Sequence, residues 1–212
     1  EMRDARGPSA PGGRWPALPC AASLATASDV WSGHAELPFS SAEYVAEVEA
    51  LQADWPSVAW DRAGKPSKVS LGPCKVPHED WARFHTSCPK LIETVRQFLV
   101  TFPSKDVEVA FGDVLDYRAG HLLGWHQDSM ALNRHTFTAV LTLAAEGTGA
   151  CEWREICDGG TKVGDIVRSG CPTRGDVTLH GVSCNNALAH RVLWDAGRRV
   201  CLVLFCKSLA VE

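Results

Sequence analysis

No apolar run in this 212-residue chain approaches the roughly eighteen residues that a membrane-spanning helix needs, and the longest clean one, Val200 to Cys206, has the length of a strand. No membrane association is expected. Positive charge is also scarce: 21 Lys and Arg against 25 Asp and Glu leave a formal net charge of −4 at pH 7, so no overall field draws the chain onto nucleic acid. The nine cysteines are an odd number and no two stand in a Cys-x-x-Cys pair, so neither a disulfide framework nor a zinc knuckle is indicated. Buried free thiols in a soluble protein of a reducing, intracellular compartment are the expectation. No repeat of solenoid or propeller period is present. The chain opens at Glu1 without a Met, as expected of a processed or trimmed piece.

What is present fits one globular domain, since 45% hydrophobic and 22% charged residues are ordinary values for a soluble fold. Residues 1–38 read as a flexible or extended N-terminal segment, because Pro8, Pro11, Gly12, Gly13, Pro16 and Pro19 leave too little apolar surface to order its first part. Residues 39–212 form the domain, with helical support over 39–103 and a β core over 107–207. Ser40 followed by Glu43 is a helix-start signature, and Tyr44, Val48 and Leu51 then recur at helical spacing up to Trp55. A second helix is expected from Pro89 to Phe102, with Leu91, Ile92, Val95, Phe98 and Leu99 on one stripe. Between them, Trp60 to Val76 is rich in turn formers and carries Arg62, Lys65, Lys68 and Lys75, which predicts a loop or short hairpin with a positive bias.

After Pro103 the text changes to short β-branched and aromatic runs: Val107 to Phe111, Val114 to Tyr117, Thr136 to Leu143, Cys151 to Ile156, Asp165 to Val167, Asp176 to His180, Ala187 to Val192 and Val200 to Lys207. Helices first and about eight strands afterwards predict a mainly β (α+β) fold, an antiparallel double sheet of the jelly-roll or cupin-like kind buttressed by N-terminal helices.

The stretch Tyr117 to Asp128, YRAGHLLGWHQD, sets His126 and Asp128 two residues apart in an extended run, so both point to one side. With a second imidazole from elsewhere they make the two-His, one-carboxylate set that holds non-haem Fe(II) and leaves positions open. The spacing alone is weak, since His34-Ala-Glu36 and His78-Glu79-Asp80 share it; one lies in a Pro- and Ser-flanked loop and the other at an apparent helix start, and both read as structural. His135, His180 and His190 are candidates for the second imidazole. His190 explains most, because a short turn, Asp195-Ala196-Gly197, then leads to Arg198 and Arg199, and alternation along the following strand turns one of the two arginines inward.

These residues resemble the Fe(II)- and 2-oxoglutarate-dependent dioxygenases built on a double-stranded β-helix. Over about Val107 to Lys207, Tyr117-x-x-Gly120-x5-His126-x-Asp128 resembles the segment shared by prolyl 4-hydroxylases and AlkB-like demethylases, Gly175-Asp176-Val177 the Gly-Asp turn before the distal His, and Gly197-Arg198-Arg199 with VCLVLF the closing strand of prolyl hydroxylases. The resemblance implies His126, Asp128 and His190 as iron ligands, Arg199 as the 2-oxoglutarate anchor with Arg198 as the alternative, and Tyr117 with Thr138 or Thr142 as hydroxyl donors to the co-substrate. It implies hydroxylation with release of succinate and CO2, with Fe(II), 2-oxoglutarate and O2 required and ascorbate admissible as an accessory reductant. The substrate would be a protein or peptide side chain, as in prolyl hydroxylases, with an AlkB-like or TET/JBP-like nucleic-acid base as the alternative. A cupin-like binding module without catalysis is the alternative of another class.

Overall fold

The computed structural model describes residues 14–20, 23–24, 27–54, 64–73, 87–102, 107–128, 136–157 and 162–208. The expected His78–Asp80 helix start, His135, and residues 1–13 lie outside them.

Helix α1 (Ser41–Asp54) begins with the anticipated capping box. The Ser40 amide donates to the Glu43 carboxylate at 2.9 Å, while the Glu43 amide approaches the Ser40 hydroxyl at 3.4 Å. Helix α2 (Pro89–Val100) starts on a proline, whose missing N–H costs nothing there, but Cys88 in front of it makes no side-chain cap. Glu47 of α1 takes over: its carboxylate accepts from the Lys90 amide at 2.9 Å and the Leu91 amide at 2.7 Å. One buried acid therefore caps the second helix and docks it on the first. The Tyr44 and Thr94 hydroxyls meet at 2.6 Å in the same seam.

The strands are β1 (Trp31–His34), β2 (Ser67–Pro73), β3 (Val107–Arg118), β4 (His121–His126), β5 (Phe137–Cys157), β6 (Lys162–Gly170), β7 (Asp176–Gly181) and β8 (Leu188–Ser208), with a short helix α3 (Val182–Ala187) between the last two. The long strands β5 and β8 are antiparallel partners from Phe137↔Cys206 to Glu155↔Leu188. Midway, Gly147 opposes Gly197, at φ +92° and +78°. A Cβ on Gly147 would lie 2.0 Å from the Ala196 carbonyl oxygen and one on Gly197 2.2 Å from that of Glu146, so only glycine lets the two backbones pass.

On one side of this crossing β7 flanks β5 and β3 flanks β8; on the other, β6 flanks β5 and β4 flanks β8. The ladder thus divides into a large layer, β1-β7-β5-β8-β3-β2, and a small one, β6-β5-β8-β4, and side chains of both line a single cavity. This is the expected double-stranded β-helix with helices on its outer face. Along the second half of β8, Val200, Leu202, Leu204 and Cys206 join Tyr44, Val48, Leu91, Val95 and Phe98 in the helix-side core, whereas Cys201, Val203 and Phe205 belong to the cavity side.

Three expectations are corrected. The turn at Asp195-Ala196-Gly197 is absent: β8 runs unbroken through these residues because β5 pairs with Ala196 and Gly197 and resumes at Trp194, Asp195 being a bulge between them, and the bend is made by the glycine pair instead. The Trp60–Val76 segment, expected as a loop or short hairpin, supplies among its described residues β2, an edge strand that pairs with the distant β3 and in which Lys68 pairs with Asp113 at 2.6 Å. Within the N-terminal segment, Trp31–His34 adds to β7 as the other edge, and Leu18 and Leu24 are buried in the helix-side core.

Candidate metal centre

In the small layer, β4 lies beside β8 with His126 and His190 as direct cross-strand partners, so residues 64 positions apart in sequence have ring centroids 4.1 Å apart. Trp153 of β5 is the partner of His190 on the other side and packs its indole 4.5 Å from the same ring. Asp128, just beyond β4, turns its Oδ1 toward both imidazoles, 3.9 Å from His126 Nε2 and 3.8 Å from His190 Nε2. The three ligand atoms lie within 4.8 Å of one another, and this is the one such cluster of His, Cys, Asp and Glu among the described residues.

Each group presents the correct atom. His126 Nδ1–H donates to the Gly124 carbonyl at 2.7 Å, which leaves the Nε2 lone pair aimed at the cluster. His190 is buried, and burial pushes its pKa down to about 3 against the pull of Asp128, with His126 and His180 adding to the drop, so it is neutral near pH 7. Burial works to raise the Asp128 carboxyl, but the His180 hydrogen bond, the neighbouring His190 and His180 and the Thr138 hydroxyl together hold it well below the ordinary carboxylate range. A basic nitrogen pair and an ionised oxygen are the donor set of a first-row divalent cation.

Deeper in the cavity, which measures about 710 Å³, lies Arg199. Its side chain is buried, its Nη2 donates to the Thr142 hydroxyl at 3.1 Å, and its guanidinium stands 5.4 Å from the Tyr117 ring centroid, Tyr117 being its register partner on β3. No carboxylate of the described residues pairs with it, and both its Nε and the Tyr117 hydroxyl are buried without a hydrogen-bond partner. Burial, reinforced by the nearby Cys201 thiol, keeps the Tyr117 hydroxyl protonated as a donor. An unpaired buried cation beside a spare hydroxyl is costly unless an anion joins it.

No family model matches this sequence, and no curated protein matches it. Similar solved structures include an oxidoreductase of the 2OG-Fe(II) oxygenase family from Burkholderia pseudomallei, at 16% identity over 88% of each chain and a TM-score of 0.48. A prolyl-4-hydroxylase from Pseudomonas putida is 17% identical over 88% of this chain and 96% of its own, with a TM-score of 0.48. A viral collagen prolyl hydroxylase from Paramecium Bursaria Chlorella virus-1, solved with 2OG, is 12% identical over 84% and 96%, with a TM-score of 0.47. Function is therefore read from the side chains of this chain.

Two candidate residues are placed elsewhere. Arg198 faces away from the cavity: it forms a two-point pair with Asp116, at 2.8 and 2.9 Å, and a further contact with Glu49 of α1 at 2.5 Å. Alternation had left the choice between the two arginines open, and the pairing of β3 with β8 decides it. Thr138 and Thr142, the alternative hydroxyl donors to the co-substrate, differ in place: the Thr138 hydroxyl serves Asp128, and that of Thr142 stands against Arg199. The two share a face of β5 but stand four residues, about 13 Å, apart. His180, weighed as a ligand, instead donates from Nε2 to Asp128 Oδ2 at 2.7 Å. No sequence signal pointed to α3 or to Asn185, which binds the Asp128 backbone.

Proposed function

We propose that this protein is an Fe(II)- and 2-oxoglutarate-dependent dioxygenase that hydroxylates a protein or peptide side chain. One observation carries the reading: a His126, Asp128 and His190 cluster of divalent-metal character shares its cavity with a buried, unpaired Arg199. The donor set fits the metal, and the orphaned Arg199 Nε and Tyr117 hydroxyl fit the distal carboxylate of a keto dicarboxylic acid. When bound, the iron, 2-oxoglutarate and O2 supply the oxidising chemistry, with decarboxylation to succinate and CO2.

The chain's own share is positioning. His126 and His190, as cross-strand neighbours, fix two donors on one rigid ladder, and Asp128 adds the third. Arg199, steadied by Thr142, clamps the far carboxylate while Tyr117 donates to it from the facing strand. Apolar walls from Val192, Val203 and Phe205 exclude water around these charges, which strengthens each interaction. The net charge of −4 supports a peptide over extended nucleic acid. Succinate release measured against a panel of peptides, nucleosides and oligonucleotides tests the reading: a peptide should stimulate it in wild type and not in His126→Ala, and stimulation by oligonucleotides alone would refute the substrate class.

A further inference from the structure

Asp128 is gripped from two directions by residues that take no place among the donors. On the large layer, His180 of β7 is fully buried, and its Nε2–H holds Oδ2 of Asp128 at 2.7 Å. His180 is the register partner of Thr138, so both side chains that reach the carboxylate come from neighbouring strands of one rigid sheet. The Trp153 indole packs 4.9 Å from the His180 ring and 4.5 Å from the His190 ring, and the two imidazoles meet edge to face at 5.4 Å, so one buried aromatic braces both. From α3, the Asn185 side-chain amide binds the Asp128 main chain twice: its Oδ1 accepts from the Asp128 amide at 2.9 Å, and its Nδ2 donates to the Asp128 carbonyl. The Asn185 carbonyl in turn accepts from Gln127 Nε2 at 2.5 Å. A side-chain amide thus replaces a missing strand partner at the point where β4 has ended.

We infer that His180 and Asn185 are positioning residues that restrict Asp128 to a single metal-facing oxygen. With Oδ2 occupied by His180, only Oδ1 is left pointing toward His126 and His190; with the backbone pinned by Asn185, the carboxylate cannot swing to present both oxygens. The inference rests on the metal reading given above. It differs from that reading in assigning the orientation of the acid to residues outside the donor trio.

Mn(II) titration of the full chain, followed by loss of the free-ion EPR signal, tests it together with the Co(II) visible spectrum, which reports coordination geometry. His180→Phe should weaken Mn(II) binding about 10- to 100-fold, the usual cost of losing an outer partner of a ligand, and should alter the Co(II) bands. His180→Gln, which can set an amide N–H where Nε2 stood, should restore binding to within about threefold of wild type. Circular dichroism and the melting midpoint establish that each variant is folded. A folded His180→Phe that binds Mn(II) as tightly as wild type, with an unchanged Co(II) spectrum, overturns the inference while leaving the metal reading intact. Should His180→Phe not fold, Asn185→Leu in the same titration decides, and undiminished affinity there overturns the inference equally. Failure of the wild type to bind either ion sinks both.

Discussion

Replacing Arg199 with Leu removes a buried charge that no carboxylate of the described residues pairs, and the two neighbouring arginines allow a controlled comparison. Hydrogen bonds to charged groups contribute about 1.5–3 kcal/mol net, so Arg199→Leu should raise the KM for 2-oxoglutarate about 10- to 100-fold in steady-state assays. Arg198→Leu should leave that KM unchanged. It should instead lower stability by about 1–3 kcal/mol in denaturant titration, because Asp116, 2% exposed, loses its two-point partner and keeps Arg118 at 3.1 Å and a long contact from the Gln52 amide at 3.4 Å. The two-residue spacing of His126 and Asp128 is a local signal, whereas His190 was singled out by the arginines that follow it, across residues that form a bulged strand and not the expected turn. The choices between Arg198 and Arg199 and between Thr138 and Thr142 could not be read from sequence, since each depends on which layer and which level of the sheet a residue occupies. The part of His180 was hidden for a related reason: a buried His beside a carboxylate looks the same in sequence whether it binds a metal or orients the acid that does.

At the level of elements, the helices were legible because the capping box and the i, i+4, i+7 stripe are short-range. The long strands were not. β5 and β8 each read as two strands because Gly147 and Asp195 to Gly197 look like turns, and only their mutual pairing keeps the backbone extended through the bend. The glycine pair there carries a sharp expectation. Gly197→Ala places a Cβ against the Glu146 carbonyl at positive φ and should cost at least about 1–3 kcal/mol, seen as a melting midpoint lowered by several degrees. A midpoint equal to wild type would contradict the crossing as described. Edge strand β1 was missed, and β2 was foreseen only as part of a loop or short hairpin, because their cross-strand partners, not their own composition, make them strands.

For the whole molecule, the buried centre predicts how stability varies with pH. His190 is held neutral in the fold, with its pKa pushed down to about 3, while in the unfolded chain it titrates near 6.5. As pH falls from about 6.5 toward 3, the unfolded state takes up a proton that the folded metal-free protein refuses, so stability is lost across that window. Asp128, held below its ordinary range, extends the loss below about pH 3.8. Glu47, raised by burial, acts in the opposite sense, so the informative comparison is with His190→Asn, whose loss on acidification should be shallower in urea titrations at pH 7, 5.5 and 4.5. The same centre, two imidazoles and one carboxylate above an unpaired guanidinium, is the feature on which the enzymatic account stands. Anaerobic addition of Fe(II) and then 2-oxoglutarate, followed by visible absorption, addresses it most directly. The account predicts a weak charge-transfer band that requires both additions, is abolished in His126→Ala, and needs more 2-oxoglutarate in Arg199→Leu; a wild-type protein that binds Fe(II) but develops no band at saturating 2-oxoglutarate would contradict it.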